Sequence, residues 1–229
     1  MRVGVLADLH GNAPALEAVL AELRRAEVTR ALVAGDLLGY YPFVNETLDL
    51  LRGFDCEVVL GNHDGYLLGR LPCPRDRWQA YSLDLTERTI SREHRAWLEA
   101  QPFRRELVVE ARSVLLCHGS PAGPEDYVYP DREDWSAFET AGCDVVVMGH
   151  THIPLVKRGT GGLWLNPGSC GQPRDYDPRA AFAILDLERL SVELRRVKYD
   201  VARVQRSIRD HDLPAALAEI LTRQRQGNA

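Results

Sequence analysis

The apolar residues of the first sixty positions form three short runs, separated by polar segments of helical periodicity. Runs of this length are typical of buried strands. Between the first two runs, apolar residues recur every three or four positions, which predicts an amphipathic helix with Asn12 as its cap and Pro14 in its first turn. The strands are predicted at 3–7, 31–34 and 57–60, with a second helix at 45–51. Strands that alternate with helices indicate βαβ units with largely parallel pairing.

The pattern changes between residues 65 and 102, where apolar and aromatic residues follow helical spacing. Trp78, Tyr81 and Leu85 are spaced for one helix, and Ser91 is placed to cap another. We interpret 65–102 as a helical insertion over a cleft, where it would act as a lid or as a surface for a partner. A pair of helices that completes the core fits the same pattern equally well.

Strand patterns return after the insertion. They are predicted at 106–110, 114–117, 145–148, 163–165, 180–186 and 191–198. The short spacing of the last two predicts an antiparallel pair. The sequence therefore predicts a mixed α/β fold in which a βαβ half is followed by a meander, giving two packed β-sheets flanked by helices. We expect one domain over 1–229, with C-terminal helices and a tail over 200–229, of which the polar stretch 223–229 frays.

Composition narrows the class of protein. The formal net charge of −5 argues against binding to an extended nucleic acid, which normally requires a basic surface. No apolar run approaches the roughly 20 residues of a membrane span, and the N-terminus lacks a signal-peptide pattern. The five cysteines are scattered without CxxC spacing, as expected for reduced thiols in a cytoplasmic protein. Homo-oligomer formation is left open.

Polar residues that can bind metals follow five of the predicted strands. Ligands of parallel sheets gather beyond the carboxyl ends of the strands, so these residues are expected to meet. They include five of the seven histidines in the chain. The motifs are Asp8-Leu9-His10, Gly35-Asp36, Gly61-Asn62-His63-Asp64, Cys117-His118-Gly119 and Gly149-His150-Thr151-His152. Seven nitrogen and oxygen ligands are more than one ion needs and suit two divalent ions.

The chemistry of these residues supports a metal site over a set of ordinary core histidines. Any one imidazole is well explained by a hydrogen bond in the core, but five such motifs would place too many polar groups in one dry cleft. On an extended backbone, Asp8 and His10 would point to the same side, as would His150 and His152. Two divalent ions would leave the site with a net positive charge that attracts phosphate. Ligands without thiolate suit Mn, our first expectation, and also Fe, Co, Ni or Zn, while Cys117 should face away.

The five motifs, in this order, resemble those of the calcineurin-like metallophosphoesterase superfamily: DxH, GD, GNHD, H and GHxH. The stretches 38–42 and 166–174 resemble its small prokaryotic phosphodiesterase branch. The resemblance implies two β-sheets with a dimetal centre at one edge, and a role for each ligand. One metal would be held by Asp8, His10 and His152, the other by Asn62, His118 and His150, with Asp36 bridging them and His63 facing the substrate phosphate. Ala7 and the long insertion depart from the common pattern.

These observations lead to a functional hypothesis. The protein would hydrolyse small phosphodiesters, cyclic nucleotides among them, by attack of a hydroxide that bridges the two metals. His63 would assist the leaving oxygen, with its imidazole held by Asp64. Asn62, Arg174 and Tyr40 are the candidates for substrate binding.

Several alternatives remain open at this level. Arg174 fits a surface salt bridge with Asp175 or Asp177 equally well, and packing explains Tyr40. His94 and His211 are interpreted as surface residues. The competing functions are a phosphomonoesterase or protein phosphatase of the same fold, and a metal-binding scaffold without catalysis.

Overall fold

The computed structural model describes residues 1–160 and 162–224 of the chain. The strands are β1 (Arg2–Leu6), β2 (Arg30–Ala34), β3 (Asp55–Val59), β4 (Arg104–Val109), β5 (Arg112–Cys117), β6 (Val145–Val147), β7 (Leu155–Gly159), β8 (Gly162–Asn166), β9 (Ala180–Asp186) and β10 (Ser191–Val197). The helices are α1 (Ala13–Arg25), α2 (Val44–Arg52), α3 (Asn62–Leu67), α4 (Arg75–Ala80), α5 (Leu83–Thr89), α6 (Arg92–Glu99), α7 (Ser136–Glu139), α8 (Val201–Asp210) and α9 (Ala216–Ile220). The predicted fraying of the tail concerns mainly 225–229, which lie outside the described residues.

The strands form two five-stranded mixed sheets. The first has the order β10-β9-β1-β2-β3, in which β1, β2 and β3 are parallel and β9 pairs antiparallel with both neighbours. The second has the order β4-β5-β6-β8-β7, in which β5, β6 and β8 are parallel. The parallel pairing of the first three strands and the antiparallel last pair are therefore confirmed. The expected meander in the second half is wrong, because its central strands are joined by crossovers, and β7 was not predicted.

The two sheets pack face to face through a shared apolar layer. Val5 and Leu32 of the first sheet lie in one buried cluster with Val114 and Val145 of the second. The other face of the first sheet is covered by α1, whose Leu16, Val19, Leu20 and Leu23 are buried. Strands covered on both faces read as continuous apolar runs, as the sequence shows. The predicted pair of packed sheets flanked by helices is confirmed.

Residues 65–102 fold into helices, as predicted, and these helices pack against the first sheet and its helices. Leu83 and Leu98 are buried in the same apolar cluster as α1. The Ser91 hydroxyl accepts a hydrogen bond from the His94 backbone N–H at the start of α6, so the predicted cap is confirmed. Among the described residues, no helix is both long enough and apolar enough to cross a membrane.

His94 joins α6 to α2, and its interpretation as a surface residue is wrong. The side chain is buried, with Nδ1 2.8 Å from Asn45 Oδ1 and Nε2 2.9 Å from Asp49 Oδ1. The sequence around His94 is typical of a surface segment, because its neighbours Arg92 and Glu93 are charged and exposed, and this hid the contact.

We expect His94→Ala to lower the free energy of unfolding by about 1–3 kcal/mol, since it removes two hydrogen bonds that connect the insertion to α2. Urea unfolding followed by circular dichroism measures this change. His211→Ala is the matched control, because His211 is exposed and its loss should change stability by less than about 0.5 kcal/mol. Equal unfolding midpoints for the two variants would contradict the assignment.

Candidate metal centre

The loops that follow five strands meet at one edge of the two packed sheets. Asp8 and His10 follow β1, Asp36 follows β2, and Asn62 and His63 open α3 after β3. From the second sheet come His118, directly after β5, and the pair His150 and His152 after β6. All of these side chains are at most 5% exposed. The structure thus brings together every residue that the sequence predicted as a metal ligand.

The backbone at most of these residues is left-handed. The φ angle is 54° at Asp8, 52° at His10, 50° at Asp36, 71° at His150 and 61° at His152. Asp8 and His10 were expected to point to the same side of an extended backbone, as were His150 and His152, and this expectation is wrong. The left-handed region costs roughly 1–2 kcal/mol per residue, although Asp and His tolerate it better than most residue types. Strain of this kind clusters at functional sites.

Two glycines allow the loops after β2 and β3 to touch. Gly35 has a φ of +80°, and a Cβ there would lie 2.6 Å from the backbone nitrogen of Gly61. A Cβ on Gly61 would lie 2.1 Å from Oδ1 of Asp36. A side chain at either position would force the loops apart and displace the Asp36 carboxylate. The glycines of the GD and GNHD motifs are thus required by the close approach of two backbones.

Asp36 lies between two groups of potential ligand atoms. On one side, Nε2 of His10 is 3.0 Å from Nε2 of His152, which is 3.7 Å from Oδ1 of Asp8. On the other side, Nε2 of His118 is 3.1 Å from Oδ1 of Asn62. Oδ2 of Asp36 lies 3.8 Å from Nε2 of His10 and 3.4 Å from Nε2 of His118. One carboxylate is therefore within reach of both groups.

The histidines are oriented so that their Nε2 atoms face the site. Nδ1 lies 3.4 Å from the Leu38 carbonyl in His10, 2.7 Å from that of Ala34 in His118 and 2.6 Å from that of Gln172 in His152. A carbonyl only accepts, so Nδ1 must carry the proton and a neutral ring has its lone pair at Nε2. This arrangement is typical of metal-binding histidines.

Unpaired polar atoms show that the site fits cations. The Nε2 lone pairs of His10 and His152 face each other at 3.0 Å, where they cannot hydrogen-bond to each other. Oδ2 of Asp8 and Nε2 of His150 are buried without a hydrogen-bond partner among the described residues. Three groups of His and Asp ligand atoms lie within 4.8 Å of one another: Asp8/His10/His152, His10/Asp36/His63 and Asp36/His118/His150. A buried donor set of this kind is consistent with two metal ions.

Burial and charge set the protonation of the site in the absence of metal. Burial lowers the pKa of His150 to about 3 and that of His63 to about 4, so both rings are neutral at pH 7. At His118 burial is the largest single effect and lowers the pKa, but the charge and hydrogen bond of Asp36, the charge of Asp8 and the hydrogen bond to the Ala34 carbonyl together raise it to about 9. Burial is also the largest single effect at Asp36 and raises its pKa, but the combined attraction of His118, His63 and His10 and the hydrogen bond with His118 hold that pKa well below its usual range. Without metal, His118 and Asp36 therefore form an ion pair.

Asp64 has a different contact from the one expected. Its carboxylate accepts hydrogen bonds from the backbone N–H groups of Leu37 (3.1 Å), Leu38 (3.2 Å) and Gly61 (2.9 Å). It does not contact the imidazole of His63, whose Nδ1 is buried without a hydrogen-bond partner among the described residues. The predicted orienting role of Asp64 is therefore corrected: Asp64 ties the loop after β2 to the start of α3.

Arg174 and Tyr40 lie in the cleft together. Nη2 of Arg174 donates to the Tyr40 hydroxyl and to Oε1 of Gln172, each at 3.1 Å. The alternative of a salt bridge to Asp175 or Asp177 is not observed, because those carboxylates pair with two other arginines. The Tyr40 ring centroid is 4.7 Å from that of His10. Both residues line the same small cavity as the predicted metal ligands.

The last residue of β8 and the segment that follows it hold the metal-binding loops in place. Nδ2 of Asn166 donates to the Gly149 carbonyl at 2.7 Å, and the Ser169 hydroxyl donates to the Asp8 carbonyl at 2.8 Å. Cys170 is buried in the core, and Cys117 packs on the outer face of the second sheet, as expected. The Asn166-Pro167-Gly168-Ser169 stretch thus holds the first and last metal-binding loops together.

Two aromatic residues of the site were missed by sequence reasoning. The ring of Tyr81, from the 65–102 insertion, is centred 3.9 Å from the ring of His63. The ring of Tyr127, from the segment after β5, is centred 3.9 Å from that of His150. Neither tyrosine belongs to a motif or follows a strand directly, so the sequence contained no signal that placed them here.

Residues 1–190 match the model of the calcineurin-like phosphoesterase superfamily domain, and the chain belongs to this family. It is 32% identical over 237 residues to the uncharacterized protein MJ0912 of Methanocaldococcus jannaschii, with 96% of each chain covered. It is 25% identical to the phosphodiesterase YfcE of Escherichia coli (strain K12), covering 84% of this chain and 91% of YfcE. The crystal structure of a metallophosphoesterase from Sphaerobacter thermophilus superposes with a TM-score of 0.79 at 30% identity, covering 97% of this chain and 98% of that one. The protein is thus a metallophosphoesterase, a hydrolase of phosphoester bonds.

We expect His118 to be protonated at pH 7 in the metal-free protein, since its folded-state pKa is raised to about 9. The imidazolium should lose its proton as the pH rises through about 9, and added divalent metal should remove that proton already at pH 7, because a ligand must be neutral. Nitrogen NMR of ¹⁵N-histidine-labelled protein measures both changes. A neutral His118 at pH 7 without metal would contradict the ion pair with Asp36.

Proposed function

We propose that this protein is a binuclear metal-dependent phosphodiesterase that hydrolyses small phosphodiesters. The observation that carries the proposal is the position of the buried Asp36 carboxylate. It lies between the group of Asp8, His10 and His152 and the pair of His118 and His150, and each side offers enough ligand atoms for one ion. Asp8, His10 and His152 would hold one metal, and Asn62, His118 and His150 the other, with Asp36 in contact with both.

Metals in this site supply a specific chemistry. Two divalent ions held by these residues would supply a Lewis acid for the phosphate oxygens and would lower the pKa of a water molecule enough to make it a nucleophile at neutral pH. The residues provide nitrogen and oxygen donors without thiolate, which suits Mn, our first expectation, as well as Fe, Co, Ni or Zn. The donors are buried, and charges in such a low-dielectric environment interact more strongly than they do in water.

His63 is the residue proposed to act on the leaving group. Its backbone N–H donates to Oδ1 of Asp36 at 2.9 Å, which fixes the start of α3 beside the ligands. Its Nε2 lies 3.8 Å from Oδ2 of Asp36, and its Nδ1 has no partner among the described residues. A neutral imidazole with a pKa of about 4 has one N–H to donate. This N–H would donate a hydrogen bond to the leaving oxygen as negative charge develops on it, without a contribution from Asp64.

Arg174 is the residue proposed to bind a phosphate oxygen that faces away from the metals. It lies in the cleft, and among the described residues it forms no ion pair with a carboxylate. A single arginine suits the one negative charge of a phosphodiester, whereas a monoester brings a second charge. The similarity to YfcE, which is named a phosphodiesterase, supports the same preference. Phosphomonoester hydrolysis is the competing activity.

We expect hydrolysis of bis(p-nitrophenyl) phosphate that requires added Mn²⁺ and is faster than hydrolysis of p-nitrophenyl phosphate. His63→Ala should lower kcat by about 10²–10⁴-fold while the metal content stays near that of the wild type, because His63 serves the leaving group. Colorimetric assays and elemental analysis measure the two effects, with His211→Ala as the control. Loss of metal in His63→Ala would make His63 a ligand, and no metal-dependent turnover of either ester would favour a non-catalytic scaffold.

We expect Arg174→Ala to lower kcat/KM for the diester by about 10- to 100-fold, the usual effect of losing a hydrogen bond to a charged group. Arg174→Lys should recover only part of the loss, because an ammonium group lacks the planar fork of a guanidinium. Arg179→Ala is the matched control, since Arg179 is exposed and paired with Asp177. Equal kcat/KM values for the Arg174 and Arg179 variants would exclude the assignment.

A further inference from the structure

The mouth of the metal cleft is bordered by tyrosines. Tyr40 and Tyr66 are buried, whereas Tyr127 and Tyr129 are 45% and 43% exposed and stack on each other with an interplanar angle of 7°. The ring of Tyr81 is parallel to that of Tyr66 within 8°, with the ring centroids 6.3 Å apart. Large aromatic faces exposed beside a cleft are typical of ligand-binding surfaces. We define Tyr81 and Tyr127, one on each side of the mouth, as the tyrosine pair.

Each member of the tyrosine pair covers one imidazole of the site. The Tyr81 ring is stacked on His63 with an interplanar angle of 24°, and the Tyr127 ring covers His150 at 36°. The cavity that these four rings and their neighbours enclose has a volume of about 20 Å³. This volume holds roughly one water molecule. A phosphodiester is larger than this space, so side chains that line it must move before the phosphate reaches the metal ligands, and the two tyrosines are among these side chains.

The two tyrosines differ in the backbone that carries them. The Tyr81 backbone is fixed at the end of α4, where its N–H donates to the Arg77 carbonyl at 2.9 Å and its carbonyl accepts from the Tyr40 N–H at 2.6 Å. Tyr127 lies in the segment between β5 and α7, which contains turns but no described helix or strand. Neither tyrosine has a hydroxyl hydrogen bond within the part of the chain that the structure describes. Tyr81 thus has the more firmly held backbone, and Tyr127, which is 45% exposed and lies in a segment of turns, is the ring that we expect to turn.

We propose that the tyrosine pair is a binding site for a planar organic group of the substrate, a nucleobase or another aryl group. The proposal rests on the proposed function, because the phosphate bound in the cleft places the planar group at the mouth. When the substrate enters, Tyr127 exchanges its contact with His150 for a contact with the planar group. One aromatic contact replaces another, so the exchange costs little free energy.

The test compares inhibitors that share a phosphate and differ in the planar group. Inhibition constants are measured against bis(p-nitrophenyl) phosphate for AMP, phenyl phosphate and ribose 5-phosphate. In the wild type, either AMP alone or both AMP and phenyl phosphate should bind about 10-fold more tightly than ribose 5-phosphate. A gain of this size is expected of one stacked ring. A gain for AMP alone assigns a nucleobase site, and a gain for both esters assigns a general aryl site.

Two variants test whether the tyrosine pair causes this gain in affinity. In Tyr127→Leu and Tyr81→Leu the preference for aromatic esters, taken as the ratio of inhibition constants within each variant, should fall to about twofold or less. Tyr176→Leu, which removes an exposed tyrosine that contacts Arg223 outside the mouth, is the matched control and should keep the full preference. Saturation-transfer NMR with the Zn²⁺-loaded protein gives a readout independent of turnover: the adenine protons of AMP should lose saturation in Tyr127→Leu.

Two negative results have different meanings. If the wild type hydrolyses the diester but binds all three inhibitors equally, or if Tyr127→Leu keeps the aromatic preference, the tyrosine pair is not the binding site and the proposed function stands. If the wild type shows no metal-dependent hydrolysis of the diester, the proposed function fails before the tyrosines are tested. Because Tyr127 is exposed, Tyr127→Leu should fold even if Tyr81→Leu does not.

Discussion

Two carboxylates and five imidazoles are buried at the edge where the two sheets meet, and such a set of groups is stable only if cations or internal ion pairs balance it. The metal-free protein uses one internal pair, between His118 and Asp36. The opposed Nε2 atoms of His10 and His152 remain without any such balance. A pair of divalent ions would balance the buried carboxylates and would bind the opposed Nε2 lone pairs. The positive charge of the ions would also attract a phosphate.

The sheets and the loops make different contributions to the geometry of this site. The apolar layer between the sheets fixes the ends of the strands, and therefore the places from which the ligands start. The loops then bend through left-handed conformations that hold the side chains in the cleft. Asp64 and Asn166 bind backbone groups of these loops and stabilise the bends. Segments outside the sheets, above all 65–102 and the region of Tyr127, shape the mouth.

Much of this architecture follows from patterns in the sequence, because strand runs and short motifs are local. The strand ends at Asp8, Asp36 and His118 were predictable since an apolar run stops at a polar residue. The role of His94 and the contacts of Asp64 were not, because each depends on which side of a helix or loop faces a distant segment. The position of Tyr81 and Tyr127 depends on how two non-motif segments fold over the cleft. The metal identity and the cytoplasmic location stay predictions.

Anomalous diffraction from crystals soaked in Mn²⁺ tests the central claim most directly. The account predicts two anomalous peaks per chain, one in contact with Asp8, His10 and His152 and the other with Asn62, His118 and His150. The Asp36 carboxylate should contact both peaks. A single peak, two peaks that do not share Asp36, or peaks away from these residues would contradict the binuclear centre.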